Sequence, residues 1–281
     1  MRYVKTVSKN HFNEIYLFVY WHDGLDHAPD VVRLALLLVN KICKKYKVHF
    51  ISARNLEAYF PYASNLRRRI TLNIKEAHFA DFLRTYLITK YGGVWIDASC
   101  FVIRDLSECM DSILEKHGFF LFKANNFRDR QIMNWFLAAK SGAGPFCDLM
   151  KIWLDFACRE REKPLNLTFY PERHCAEHLI GPRETDSRAL KEIERHGFFP
   201  YFFYHYIWNE ICRKNKAYQE RFDALPVVSI PVIKFDRRKF IGRQYFRNYG
   251  EDLILDEAAV ESEELFPMSV RRTILDLLRC P

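Results

Sequence analysis

The residues with the most chemical potential lie close together in the chain. Asp97 follows the apolar run Val94-Trp95-Ile96, and Asp81 and Arg84 occupy the helical stretch before it. A carboxylate at the carboxyl end of a buried strand stands where open α/β sheets bind ligands; the alternative is a carboxylate that caps the next turn. Asp81 and Arg84 are three residues apart, so on a helix they share a face and can point into one crevice. Their alternative is an ion pair on a solvated helix face, worth about 0.2–0.5 kcal/mol. Leu83, Leu87 and Ile88 make that helix largely apolar, which favours the crevice. Between the helix and the strand stand Gly92, suited to the left-handed residue that stops a helix, and Gly93, which lets the backbone turn sharply.

These residues need a scaffold, and the hydrophobic pattern supplies an alternating one. Ile15–Tyr20 suits a buried first strand. Pro29 and Asp30 open a helix reaching about Lys44, because proline is tolerated there and an acid favours the positive end of the dipole. Val48–Ser52 reads as a second strand, residues 76–90 as a helix and 94–96 as a third strand, an order that predicts a largely parallel sheet. Phe119–Phe122 reads as another strand, and Gln131–Ala139 and Pro145–Glu160 read as helices. Residues 200–208 are almost continuously aromatic, and Pro226–Ile233 is strand-like. From 236 the composition changes, basic at 237–247, then acidic at 251–264, with an amphipathic helix at about 268–279. The expected organisation is one domain over 1–235 with a helical C-terminal appendage over 236–281.

The helix, Tyr91-Gly92-Gly93, three apolar residues and Asp97-Ala98-Ser99 resemble the central signature of glycosyltransferases related to capsular polysaccharide synthesis proteins. That signature belongs more widely to the DxD-type sugar-binding transferases of glycosyltransferase family 32 type. Tyr20-Trp21 with Gly24 and Ala28-Pro29 is similar to that family's first strand and loop. Asn134-Trp135-Phe136 with Ala138-Ala139 is similar to its middle motif, and Tyr201-Phe202-Phe203-Tyr204-His205-Tyr206 to its aromatic-histidine motif. The resemblance covers roughly residues 14 to 235. It implies a GT-A type, Rossmann-like, mainly parallel sheet flanked by helices, and transfer of a sugar from a nucleotide-sugar donor.

Such a reaction must neutralise a departing diphosphate, and a divalent cation, Mn²⁺ or Mg²⁺, does so through oxygen ligands. The resemblance makes Asp97 the anchor of that cation. The common family form carries a second carboxylate two residues on, where this chain has Ser99, a weaker neutral ligand. On an extended chain residues two apart project on the same side, which would let Ser99 face the same ion. The resemblance gives Asp81 to the donor's sugar hydroxyls and Arg84 to a hydroxyl or phosphate oxygen. It also places Gly92, Gly93, Asn134 and the dipeptide Gly181-Pro182 around the donor, with Asn134 open to an acceptor-side reading. Tyr20 and Trp21 could stack on a nucleobase or belong to the core. His205 reads either as a further metal or phosphate contact or as a core histidine. No carboxylate stands out as a general base, and by analogy with the superfamily the expected outcome is retention.

Composition bounds the remaining possibilities. A chain of 281 residues, 49% hydrophobic, with 24 Phe and 15 Tyr has ample material for a core and is not a disordered composition. The first residues lack a signal-peptide run, and Leu34–Val39 is far shorter than the ~20 residues of a spanning helix. The expected location is therefore cytoplasmic. The eight cysteines, without a CxxC pair, read as reduced core residues. His174-Cys175-x-x-His178 lacks a second pair for a closed zinc site. The net charge of +8, with runs at Arg67-Arg68-Arg69 and Arg237-Arg238-Lys239, favours anionic partners. Nucleic-acid motifs are absent, and the aromatics are not interleaved with the basic runs. The expected partners are a nucleotide-sugar donor, an oligosaccharide or lipid-linked acceptor of a capsule or lipopolysaccharide, and an anionic membrane face touched peripherally. The alternative from another class is a catalytically weak nucleotide-sugar-binding subunit.

Overall fold

The computed structural model of the chain describes residues 15–102, 104–124, 130–174, 186–227, 232–236, 241–244 and 252–254. The fold is mixed α/β, with a mostly parallel central sheet flanked by helices. The chain divides into two compact units, one from residues up to 55, 94–116 and from 226 onward, the other from 56–93 and 117–225.

In the first unit, β1 (Ile15–Tyr20) lies between β2 (Tyr46–Ile51) and β3 (Gly93–Ile96) and runs parallel to both. Parallel neighbours need a crossover, and α1 (Asp30–Ile42) supplies the one from β1 to β2. Val31, Val32, Leu34, Ala35, Leu38 and Val39 of α1 are buried, the apolar stripe of a helix laid on a sheet. The register pairs Phe18 with Trp95. Two residues further along each strand come Tyr20 and the position of Asp97, so both stand at the strands' carboxyl ends. β4 (Cys100–Val102) follows, then α5 (Ser107–His117). β4 pairs antiparallel with β9 (Val232–Asp236), and that sheet continues through β10 (Ile241–Gln244) to β11 (Asp252–Ile254).

The second unit begins with the short helices α2 (Leu56–Tyr59) and α3 (Ala63–Arg69) and then α4 (Glu76–Tyr91). β5 (Phe119–Lys123) pairs antiparallel with β6 (Ile132–Ala139), with a register shift between Leu121 and Phe122. α4 packs on β6 and on α6 (Gly144–Cys158), and α6 packs on α8 (Phe203–Lys214). Aromatic rings fill these contacts, Phe82 lying 4.9 Å from Trp153 and Phe146 6.0 Å from Trp208 between centroids. β7 (Asn166–Thr168) and β8 (Phe198–Pro200) form a parallel pair joined through α7 (Ser187–Arg195), and α9 (Lys216–Asp223) follows α8.

One expected element is corrected. Gln131–Ala139, read as a helix, contains the strand β6. Its last five residues, Trp135 to Ala139, are all buried, and a continuous apolar run has no periodicity with which to tell a helix from a buried strand. Pairing with β5 decides the matter. The boundary expected at 235 falls within β9. The described parts of 236–281 are strand, and the expected C-terminal helix lies outside the described residues. Among the described residues, no helix is long and apolar enough to cross a membrane, and six cysteines are free.

The end of α4 is closed by the turn after β6. The Ser141 hydroxyl donates to the carbonyls of Thr89 and Lys90 at 3.3 and 3.0 Å, and the Gly142 N–H donates to Thr89 at 2.8 Å. Carbonyls left over by the helix are thereby satisfied. Gly92 caps the helix at φ 71, ψ −174, a region essentially reserved for glycine. A Cβ there would stand 2.9 Å from the Ser141 backbone nitrogen. Gly92→Ala is therefore expected to destabilise the protein by about 2–3 kcal/mol, read as a lower midpoint in urea; an unchanged midpoint would contradict this packing.

Candidate functional site

α4 owes its burial to aromatic and aliphatic residues on nearly every side; Phe79, Phe82, Leu83, Leu87 and Ile88 are all 2% exposed or less. Asp81 and Arg84 are buried among them, at 8% and 5% exposure. The pair is therefore not on a solvated helix face. Burying two charges is costly unless each is bonded as well as paired, and the structure provides those bonds. Arg84 Nη2 lies 3.3 Å from Asp81 Oδ1. Arg84 Nε donates to the Ala80 carbonyl at 3.1 Å, and Nη1 donates to the Asn134 carbonyl. The Asn134 side-chain amide donates to Asp81 Oδ1 at 2.7 Å. Three residues assigned from sequence thus meet in one cluster, and the guanidinium fork is engaged with protein groups, holding the Asp81 carboxylate in place. Asn134 reaches Asp81 because β6 is a strand lying against α4.

Two side chains that sequence reasoning did not single out support this cluster. Thr85 Oγ1 donates to the Asp81 carbonyl at 2.9 Å and lies 2.9 Å from the hydroxyl of Tyr204. Burial pushes the Tyr204 phenol well above its ordinary range. At the start of α4, His78 Nδ1 accepts from the Lys75 N–H at 3.0 Å, and Nε2 faces the Tyr201 carbonyl at 3.1 Å. An N–H on one side and a carbonyl on the other assign the neutral Nε2–H tautomer. Burial, the larger cause, and the nearby Lys75 charge lower the imidazolium pKa to about 4. His205 lies on α8 at 4% exposure, its ring 5.5 Å from that of Phe202.

In the other unit, Asp97 directly follows β3. Trp95 Nε1 donates to Asp97 Oδ1 at 3.2 Å, a bond between residues two apart on the same side of the strand. Trp95 was read only as part of an apolar run, although that spacing was legible. Tyr20 is 6% exposed, its ring 6.5 Å from that of Trp95 and its hydroxyl 3.0 Å from His22 Nδ1. Trp21 is half-buried, which makes it the better placed of the two for a base to stack on. The extended geometry assumed for Asp97 and Ser99 is corrected. The Cys100 N–H donates to the Asp97 carbonyl at 2.9 Å, closing a tight turn from 97 to 100, so the alternation of an extended chain does not relate the two side chains. Ser99 is buried within this turn at 8% exposure.

Gly181, Pro182, Cys175 and His178 lie outside the described residues. Among the described residues, no group of three or more His, Cys, Asp or Glu side chains could enclose a metal ion. The single carboxylate of Asp97 does not fit a preformed protein cage; a hard cation there would draw most of its ligands from a diphosphate and water.

A family model described as capsular polysaccharide synthesis protein matches residues 2–170. O-glycosyltransferase braB of Annulohypoxylon truncatum is 26% identical over 181 residues, covering 58% of this chain and 41% of that protein. O-glycosyltransferase PaGT of Phomopsis amygdali is 25% identical over 158 residues, covering 50% and 37%. The chain thus spans about two fifths of the length of these curated relatives. Among solved structures, PaToxG Glycosyltransferase aligns with a TM-score of 0.37 and 12% identity over 65% of this chain and 75% of that one.

Two measurements follow from the buried cluster. Arg84→Ala takes the guanidinium from the buried Asp81 carboxylate and is expected to cost about 3–5 kcal/mol in chemical denaturation; a loss below about 1 kcal/mol would mean that the pair is exposed in solution. His78 has a folded pKa of about 4 against an ordinary 6.5, so the unfolded chain takes up the proton first as pH falls. Its contribution is complete above pH 6.5 and is lost progressively towards pH 4, by up to about 3 kcal/mol. His78→Gln, which can keep both hydrogen bonds, should flatten the melting temperature over that window, and an equally steep fall in the variant would exclude His78 as its source.

Proposed function

The chain belongs to the capsular polysaccharide synthesis protein family, and from that membership we propose that it is a glycosyltransferase. In this reading it moves a sugar from a nucleotide-sugar donor to a hydroxyl of an acceptor glycan. The observation that carries the reading is the Asp97 carboxylate at the carboxyl end of a parallel strand, oriented by the Trp95 indole. That is where such sheets bind ligands. The names of the two O-glycosyltransferase relatives support transfer to oxygen.

In this reading Asp97 holds Mn²⁺ or Mg²⁺, which when bound supplies charge neutralisation for the departing diphosphate. Trp95 fixes the carboxylate's orientation, and Trp21 offers a face to the base. In the other unit, Arg84 and Asn134 hold the Asp81 carboxylate, the group that the family resemblance assigns to the donor's hydroxyls. The bond between the anomeric carbon and the diphosphate oxygen breaks, and a bond from that carbon to the acceptor oxygen forms on the same face. The acceptor proton passes to the departing diphosphate. The acceptor is a lipid-linked capsule or lipopolysaccharide precursor, reached from the cytoplasmic side by a basic protein resting on an anionic membrane face. Ser99, standing in place of a second carboxylate, favours one other reading, a nucleotide-sugar-binding subunit with little turnover. Slow hydrolysis of UDP- or GDP-sugars without acceptor distinguishes the two.

Replacing Asp97 with Asn is expected to lower transfer at least a hundredfold while leaving the melting temperature within a few degrees, and Ser99→Asp tests whether the 97–100 turn brings that position to the cation, which a lower half-saturating Mn²⁺ concentration would show. A titration of activity against Mn²⁺ on wild type and both variants reads these effects. Asp97→Asn turnover within a few-fold of wild type would remove Asp97 as the cation's anchor.

A further inference from the structure

Phe169 and Tyr170, at the end of β7, are 53% and 55% exposed, and adjacent large rings in water need an explanation. They are not loosely held. The Tyr201 ring stacks on Phe169 at 4.8 Å and 21°. Tyr201 is itself fixed by its N–H to the Thr168 carbonyl at 2.8 Å and by its carbonyl to His78 at 3.1 Å. Cations accompany the rings. The Lys75 ammonium lies 4.8 Å from the Phe169 centroid and the Arg173 guanidinium 4.6 Å from that of Tyr170. Among the described residues neither cation is ion-paired, and neither belongs to the basic runs visible in the sequence.

We propose that Phe169, Tyr170 and Tyr201, with Lys75 and Arg173, form a subsite for an anionic saccharide, namely the acceptor glycan of the transfer reaction, on whose reading this inference rests. Flat, pre-organised rings suit the apolar faces of sugar rings at little entropic cost, and the two cations suit carboxylate or phosphate substituents. Continuity with the buried cluster argues for a glycan rather than for an unrelated ligand. Lys75 is the N-cap of α4, six residues before Asp81 and about 9 Å from it along the helix axis, the reach of a short oligosaccharide.

The test uses the full chain and two hexasaccharide probes, hexagalacturonate with one carboxylate per ring and neutral maltohexaose. Calorimetric titration should show hexagalacturonate binding at least fivefold more tightly than maltohexaose. Phe169→Ala and Lys75→Gln, both at exposed positions, should each weaken hexagalacturonate binding at least fivefold. Binding unchanged in both variants, or no binding by wild type, would overturn the proposal. So would preferential, Phe169-dependent binding of a uridine decanucleotide or of phosphatidylglycerol vesicles, which would make the patch a nucleic-acid or membrane contact. Slow donor hydrolysis by wild type is measured in parallel. Its absence would sink the transfer reading, while the glycan titration would still decide the subsite.

Discussion

A carboxylate and a guanidinium withdrawn from water must be satisfied by each other and by neighbouring groups, and α4 is arranged around that demand. Asp81 and Arg84 are both nearly inaccessible, and each is bonded to a group outside the pair. Arg84 reaches the carbonyls of Ala80 and Asn134, and Asp81 accepts from the Asn134 amide. The strand β6 therefore has to lie at one height against α4, because a shift of one residue would turn the Asn134 side chain to the other face. Removing either charge would take a bonded partner from the other, so the two residues are energetically coupled.

The same helix is fixed at both ends by polar contacts. At its start, a neutral histidine links the backbone of Lys75 to that of Tyr201. At its end, Ser141 and Gly142 satisfy the last carbonyls, and Gly92 allows the approach. Gly92 thus has a full structural task. The Tyr201 link also holds the ring stack beneath Phe169, so the anchoring of α4 and the exposed aromatic surface share one residue. In the other unit the Trp95 indole does for Asp97 what Arg84 and Asn134 do for Asp81. In each cluster a neighbouring donor holds a carboxylate in a fixed orientation, the preorganisation that a binding site requires.

Much was legible in the chain before any coordinates. The strand Ile15–Tyr20 was read with its observed bounds, and α1, α4, β3 and α6 were read within a few residues, because alternation between apolar runs and 3.6-residue stripes is a local property. The carboxyl-end position of Asp97 and the shared face of Asp81 and Arg84 follow from such local rules. Gln131–Ala139 was misread because an uninterrupted apolar run is equally compatible with a buried helix and a buried strand. The same limit hid Asn134's contact with Asp81, which exists only because the segment is a strand.

The order of β1, α1, β2, α4 and β3, the helix stop at Gly92 and the carboxylates available for chemistry were set by residue type and spacing alone. Tertiary structure decided what those groups do. It buried Asp81 with Arg84 against Asn134 of β6, and it brought Lys75 onto Phe169 from a separate stretch of chain. The physical reason is common to both. Burial and partner geometry depend on contacts between residues far apart in sequence, and periodicity within one element carries no record of the element that will pack against it.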